Sequence, residues 1–200
     1  MQKLLVFNST SLDGYFADAK GDMRFAHNPE QDAEFNAFTS RNAGGGGALL
    51  FGRKTYQLME TYWPTPAAAK AMPEVAAGMN RLRKYVVSRT LEKVSWRNTT
   101  LLKGDLLAEV RKLKSAPGDG IAILGSGSLV AQLAPAGLID EFQIVLIPVV
   151  LGSGRTMFDG MTQQVPLRLK SSRAFKNGNV VLSYEPVRRV RAAAARSRAG

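Results

Sequence analysis

Three short stretches place glycines, hydroxyls and cations where a chain could seat phosphate: Gly52-Arg53-Lys54-Thr55, Ser88-Arg89 and Leu124-Gly125-Ser126-Gly127-Ser128-Leu129. Gly52 admits close backbone approach, the residues after it can open a helix whose first amides lack partners, and Arg53, Lys54 and the Thr55 hydroxyl add charge and donors. Gly125 and Gly127 likewise bare the backbone, while Ser126 and Ser128 can either cap a helix or meet a phosphate. This last stretch is a partial G-x-G-x-x-G, because Val130 holds the final position, and it lacks the Gly-Lys-Ser/Thr of a P-loop. Arg89 offers a planar fork suited to a phosphomonoester. Each stretch also has an ordinary reading as a turning glycine, solvated cations or a capped turn. Together they are what a phosphate-rich dinucleotide requires.

The remaining inventory narrows the chemistry. The chain has no cysteine and a single histidine, His27. That excludes thiol nucleophiles, disulfides and Cys/His zinc sites, and leaves a Ser-His-Asp hydrolase dependent on one imidazole. Reaction chemistry must come from carboxylates, hydroxyls, backbone amides, Lys and Arg, or a borrowed cofactor, and no metal site is expected. Lys and Arg number 27 against 16 Asp and Glu, a net +11. Residues 187–200 hold Arg188, Arg189, Arg191, Arg196 and Arg198 and no acid, which leaves +6 on the body. A body of that sign favours an anionic ligand. The basic tail reads as a solvated, disordered extension, with nucleic-acid contact as its alternative. The longest apolar run, Ile144 to Leu151, is interrupted by Pro148 and falls far short of the roughly 18 residues that span a bilayer. Membrane contact is therefore not expected, and the cytoplasm is the default location.

These stretches need elements to hold them. Lys3 to Asn8 reads as a buried strand followed by a long loop. Asn28-Pro29-Glu30 supplies an N-cap, a first-turn proline and a first-turn acid, which predicts a helix from Pro29 to about Asn42 marked by Phe35 and Phe38. Gly44 to Gly47 reads as a hinge without helical tolerance, Ala48 to Phe51 as a strand ending at Gly52, and Arg53 to about Tyr62 as a helix. Trp63 to Pro73 reads as a loop and Glu74 to Arg81 as a short helix. Strands follow at Lys84 to Ser88 and Leu101-Leu102, then a helix at Asp105 to Lys114 with Leu106, Val110 and Leu113 on one side. Ile121 to Leu124 is a strand, Leu129 to Leu133 helical, and Phe142 to Pro148 a further strand. Leu167 to Phe175 and Val180 to Glu185 flank Asn177-Gly178, a hairpin signal. Strands alternating with helices require crossovers, hence a three-layer α/β domain over residues 1–186: a mostly parallel central sheet with a C-terminal antiparallel hairpin. Ligands of such sheets collect at the carboxyl ends of strands, where all three stretches fall.

Ser11-Leu12-Asp13-Gly14 after the first strand, GRKTY at Gly52 to Tyr56, VSR at Val87 to Arg89, LGSGSL at Leu124 to Leu129 and PVVLGSG at Pro148 to Gly154 form an ordered set. Over about residues 2 to 186, the set resembles the dihydrofolate reductase-like superfamily. The closest branch is the one containing the reductase domain of the bacterial riboflavin-biosynthesis deaminase-reductase. The resemblance implies NADPH as hydride donor and a small, pteridine- or pyrimidine-like heterocyclic acceptor. By position, Gly52, Arg53, Lys54 and Thr55 match the family's cofactor-binding helix start, with Thr55 at the pyrophosphate. Ser88 and Arg89 match the surroundings of the adenosine 2'-phosphate, and Leu124, Gly125, Ser126, Gly127, Ser128 and Leu129 the second phosphate loop. Ser9, Phe16 and Ala17 match the approach of the first strand and its loop to the nicotinamide. The absence of the deaminase zinc signature implies a stand-alone relative.

Two carboxylates are candidates at the substrate end. In dihydrofolate reductases proper, an acid on the first helix holds the pterin ring. At 100 degrees per residue, Asp32 and Glu34 lie roughly 90 and 70 degrees from the centre of the Phe35/Phe38 face, so geometry selects neither. Counting back from Gly52 with the glycine insertion removed selects Asp32, a solvated helix acid being the other reading. Asp13 is the second candidate, because related reductases place substrate contacts near this Asp-Gly, with a plain tight turn as its alternative. Phe35, Phe38 and Trp63 read as core or cleft wall, and His27 as an exposed loop residue that could line the substrate mouth. Related proteins are often dimers, so a homodimer is a further expectation. A protein that keeps the fold and binds nucleotide or nucleic acid without turnover stays open beside the reductase reading.

Overall fold

Hydrophobic alternation builds the centre of the molecule from strand β1 (Leu4–Ser11), where Leu4 and Val6 are fully buried on one face and Phe7 packs on the other. The computed structural model describes residues 1–26, 32–44 and 47–187. His27, the Asn28-Pro29-Glu30 cap, Gln31, Gly45, Gly46 and the arginine tail lie outside the described residues. After β1 come β2 (Tyr15–Asp18), α1 (Ala33–Gly44), β3 (Ala48–Gly52), α2 (Arg53–Tyr62), α3 (Pro66–Ala71), α4 (Pro73–Arg81) and β4 (Arg83–Val87). Then follow β5 (Thr99–Leu102), α5 (Leu106–Ser115), β6 (Ile121–Leu124), α6 (Gly127–Leu133) and β7 (Glu141–Ile147). The chain continues through β8 (Gly154–Thr156), β9 (Leu167–Ala174) and β10 (Val180–Pro186).

Eight strands form one sheet in the order β5-β4-β3-β6-β1-β7-β10-β9. The first six run parallel and the β9–β10 hairpin closes the sheet antiparallel, as the alternation of elements required. One face carries Leu50, Ile123 and Phe142 against Val110 of α5 and Leu129 and Leu133 of α6. The other presents Leu49, Phe51 and Val86 to Tyr56 and Met79, and Val145 and Ile147 to Phe35 and Phe38 of α1. Each large side chain removed from water here contributes about 1.5–3 kcal/mol, which is what fixes the three layers. No helix among the described residues is long and apolar enough to cross a membrane.

Four local expectations change. The loop expected at Trp63 to Pro73 contains α3, because Thr65 accepts the Ala68 amide with its side chain and Pro66 pre-sets the first turn. The long loop after β1 contains β2, whose partner β8 lies more than a hundred residues away, too distant for local pattern to reveal. Helix α1 begins at Ala33 rather than Pro29, with Asp32 as its cap. Gly44, expected to break the helix, is its last residue.

Lys84 is a fully buried cation. Its Nζ donates to the carbonyls of Met79 (2.8 Å), Asn80 (3.3 Å) and Leu82 (2.7 Å) and lies 4.4 Å from the centroid of the Trp96 ring. The carbonyls that end a helix are unpaired and carry partial negative charge, so this ammonium caps α4. Burial, followed by the charge of Arg97, pulls the Lys84 pKa down to about 8, which leaves it charged at pH 7. Lys84→Met retains most of the volume and removes the shared donor. Urea unfolding at pH 7 is expected to show a loss of roughly 2–4 kcal/mol. A loss below about 1 kcal/mol, the worth of one ordinary hydrogen bond, would mean that the ammonium does not hold α4.

Candidate cofactor and substrate site

Strand register places the three phosphate-suited junctions side by side. Gly52 stands opposite Val87 across β3 and β4, and Leu50 opposite Ile123 across β3 and β6. Arg53 onward, Ser88-Arg89 and Gly125 onward therefore leave three adjacent parallel strands at one level. With about 4.8 Å between strands, the three exits span roughly 10 Å.

The ends of β3 and β6 are laced together by two hydroxyls. The Gly52 amide donates to Ser126 Oγ (2.8 Å), and the Ser126 amide donates to Thr55 Oγ1 (3.1 Å). Ser126 has φ 54 and ψ 50, a left-handed conformation that is costly for a residue with a side chain. The two bonds hold it there. The preceding Gly125, φ 58, must be glycine, because an added Cβ would come within 2.9 Å of Thr55 Cγ2. Buried Asn8 secures the same turn from β1: the Gly125 amide donates to Asn8 Oδ1 (2.5 Å), and Asn8 Nδ2 donates to the Gly125 carbonyl (3.1 Å). The Ser126 hydroxyl thus joins two strand ends and makes no capping bond to α6. Helix α2 also starts without a side-chain cap, and Arg53 and Lys54 are exposed beside that start. Uncapped amides, the helix dipole and two cations make an anion seat.

The other matched positions surround this seat or support it. The Ser88 hydroxyl is buried and accepts the amides of Thr90 (3.2 Å) and Leu91 (3.0 Å), so it shapes a turn, while Arg89 is exposed next to it. Phe16 packs on Gly127, where an added Cβ would lie 3.2 Å from the ring. Ala17 is buried and pairs with Arg155 in the β2–β8 ladder, and Ser9 is half-buried beside Val145. Ser128 is exposed on the first turn of α6, while Leu124 and Leu129 pack into the core.

Asp32 is only 7% exposed, which replaces the picture of a solvated helix acid. Its Oδ1 accepts the amides of Glu34 (2.9 Å) and Phe35 (3.1 Å), capping α1, and its Oδ2 accepts the amide of Asn177 (3.3 Å) at the tip of the β9–β10 hairpin. The Phe35 amide, then those of Asn177 and Glu34, hold its pKa below the ordinary 3.8 against the opposing effect of burial. Glu34 instead pairs with Arg173 at the surface. Asp13 accepts the Ser11 hydroxyl (2.6 Å) and the Gly152 amide (2.7 Å), and both its oxygens lie 3.2 Å from the Leu151 amide. It is more than a tight-turn residue, because it pins the β1–β2 turn to the PVVLGSG segment. The Ser11 hydroxyl is the main reason its pKa also lies below 3.8. Phe35 and Phe38 form an aromatic cluster with Phe7 and Phe175, and Trp63 packs against the cluster under α2, so these rings are core.

Two asparagines escaped sequence reasoning. Asn8 could have been noticed as a carboxamide ending the apolar run KLLVFN. Asn179 is fully buried beyond the hairpin turn, and neither Nδ2 nor Oδ1 has a partner, the signal being a second asparagine that the Asn-Gly turn itself does not need.

The family model described as the RibD C-terminal domain matches residues 2–181. The chain belongs to that family. The uncharacterized protein YyaP of Bacillus subtilis (strain 168) is 28% identical over 183 residues, covering 92% of this chain and 94% of YyaP. Among solved structures, a Shewanella sp. PV-4 protein assigned to riboflavin biosynthesis shares the fold with TM-score 0.69 and 24% identity, over 94% of this chain and 100% of its own. Dihydrofolate reductase from Enterococcus faecalis, solved with NADP(H), shares it with TM-score 0.60 and 12% identity, over 93% and 97% of the two chains. The superfamily and branch expected from the motifs are those found, and the RibD C-terminal domain fold is the frame on which the laced strand ends sit.

Substitutions at two positions test this geometry. Ser126→Ala leaves the buried Gly52 amide without its acceptor and is expected to cost roughly 1–3 kcal/mol in urea unfolding. Ser126→Gly loses the same bond but relieves the left-handed strain, so it is expected to be about 1 kcal/mol less harmful. Asp32 has a folded pKa below its unfolded 3.8, so its contribution is complete above that value and is lost as pH falls through the folded pKa. In acid unfolding followed by circular dichroism, the stability gap between wild type and Asp32→Asn is expected to be constant near neutrality and to close below pH 3.8. A gap independent of pH would show that the carboxylate charge is not what caps α1.

Proposed function

We propose that this protein is an NADPH-dependent reductase that passes a hydride to a small heterocyclic acceptor of pteridine or pyrimidine type. The observation that carries this reading is the alignment of three anion-suited junctions at the ends of the neighbouring strands β4, β3 and β6. Membership of the RibD C-terminal domain family supports it.

The residues present suit a phosphate-bearing cofactor. Thr55 and Ser126 use their hydroxyl oxygens to accept backbone amides, which leaves both hydroxyl protons free to donate to an anion. These two protons, the first amides of α2, Arg53 and Lys54 would hold a pyrophosphate together with the backbone of Gly125 to Ser128. Arg89 would pair with a 2'-phosphate, with Ser88 fixing the turn that presents it. Ser9, Phe16 and Ala17 would bound the nicotinamide end. When bound, the cofactor supplies the hydride. Neither Asp13 nor Asp32 stores a proton at neutral pH, since backbone amides and the Ser11 hydroxyl favour their ionised forms. Both carboxylates become positioning residues in this reading. Asp13 fixes the Leu151-Gly152 wall and Asp32 fixes the hairpin tip, while water delivers the proton to the acceptor.

Fluorescence titration with NADPH and NADH tests the reading. NADPH is expected to bind the more tightly, and Arg53→Ala to weaken it by at least about tenfold, some 1.4 kcal/mol, with an unchanged thermal midpoint. Arg89→Ala is expected to narrow the preference for NADPH over NADH. Absence of NADPH binding at near-millimolar concentration would overturn the proposal.

A further inference from the structure

Asn179 is fully buried, yet neither its Nδ2 nor its Oδ1 has a hydrogen-bond partner. A carboxamide carries two N–H donors and an oxygen with two lone pairs, and leaving such groups unpaired inside a protein lowers its stability. An apolar side chain of similar size would carry no such cost, so packing alone would not select asparagine at this position. The backbone that carries it is firmly held. The Asn179 amide donates to Asn177 Oδ1 (3.1 Å), the Asn177 amide donates to Asp32 Oδ2 (3.3 Å), and the Asn179 carbonyl accepts the Phe175 amide (2.9 Å).

Register sets Asn179 between Phe175 and Ile147, on the sheet face that Phe35 and Phe38 of α1 cover. Ser11 stands opposite Ile147 on the same face, so the carboxamide lies roughly 10 Å across the sheet from the end of β1. The buried cluster on this face is Val145, Ile147, Phe175 and Val181, with Phe25 packed against it. Phe25 is half-buried and also lines a cavity of about 280 Å³, together with Asp18, Asp22, Arg24 and Leu151. Ligand pockets usually measure roughly 300–1,000 Å³, so this cavity suits a ligand of one or two rings.

We propose that Asn179 selects the acceptor by pairing with a lactam edge, an N–H beside a C=O on a heterocyclic ring. The ligand class rests on the reductase reading. A carboxamide is planar with donor and acceptor side by side, so it makes two parallel bonds to a lactam and only one to an edge of two donors or two acceptors. Water is the poorer occupant, because a buried water needs several polar partners and the side chains of this cluster supply carbon alone. In such surroundings the paired bonds are strengthened, and a ring without the lactam leaves the carboxamide unpaired and is rejected. The acceptor enters through the cavity and meets Asn179 as the Phe25 side chain turns aside, a rotamer change of the kind that binding commonly brings.

Titration of the full-length chain with pterin and with uracil, which both carry a lactam edge, tests the proposal, read by NMR at the Asn179 side-chain amide. At least one of the two is expected to move the Nδ2–H signals, and its counterpart methylated at every lactam nitrogen to bind at least about tenfold more weakly. Asn179→Leu is expected to bind parent and methylated compound alike, with NADPH affinity unchanged and a thermal midpoint no lower than wild type. A purely structural asparagine would give the reverse, a lowered midpoint with the discrimination intact. Should Asn179→Leu fail to fold, the wild-type signals and the methylated compound decide without it. The proposal is overturned if neither ligand moves those signals at near-millimolar concentration, if methylation leaves affinity unchanged, or if Asn179→Leu still discriminates. NADPH binding is followed in the same samples: its absence overturns the reductase reading, whereas its presence beside any of these failures overturns the role of Asn179 alone.

Discussion

Two hydroxyl groups decide whether the strand ends of this protein form a site or three separate turns. Ser126 Oγ accepts the Gly52 amide and Thr55 Oγ1 accepts the Ser126 amide between the exits of β3 and β6, and Asn8 ties the same turn to β1. Because these bonds are buried, losing one leaves an amide unpaired, and the strained conformation of Ser126 relaxes away from the geometry that bares the loop. Everything proposed about cofactor binding depends on that lacing. The exposed cations Arg53, Lys54 and Arg89 supply charge, but they gain direction only because the backbone between them is fixed.

The two acids act as joints between distant segments of the chain. Asp32 and Asp13 each join segments more than a hundred residues apart, α1 to the hairpin tip and the β1–β2 turn to the Leu151-Gly152 segment. A carboxylate that accepts several amides is stabilised in its charged form, which suits it to hold a wall in place and unsuits it to give up a proton. The buried, unpaired amide of Asn179 lies two residues from the point where Asp32 meets the hairpin, and so shares the end of the molecule that those acids organise.

Much of this was legible in the sequence, for identifiable reasons. The strands ALLF and IAIL, the Asn-Gly hairpin and the junctions at Gly52 and Gly125 are local patterns, and parallel crossovers put the junctions at one edge of the sheet, while the adjacency of β4, β3 and β6 comes from the strand order. Whatever depended on distant partners was not legible. The β2–β8 ladder, the Asn8 clamp and the Asp32 bridge each join residues that are remote in the chain, and no periodicity marks them. Helix α3 was hidden for a different reason, its prolines reading as breakers when one of them in fact starts the helix. The hydroxyls of Ser126 and Ser88 read as phosphate contacts in the sequence, with a helix cap as the alternative for Ser126. Their structural bonds are to Gly52 and to the Thr90-Leu91 turn, which sequence could not supply.

The central claim is that the exits of β4, β3 and β6 form one dinucleotide seat. The most direct measurement is amide chemical-shift perturbation by NMR as NADPH is added to the full-length chain. The account predicts that the amides of Arg53 to Tyr56, Ser88-Arg89 and Gly125 to Leu129 shift together and saturate at a single affinity, while those of β9 stay in place. Shifts confined to one of the three junctions, or centred on another part of the molecule, would contradict it.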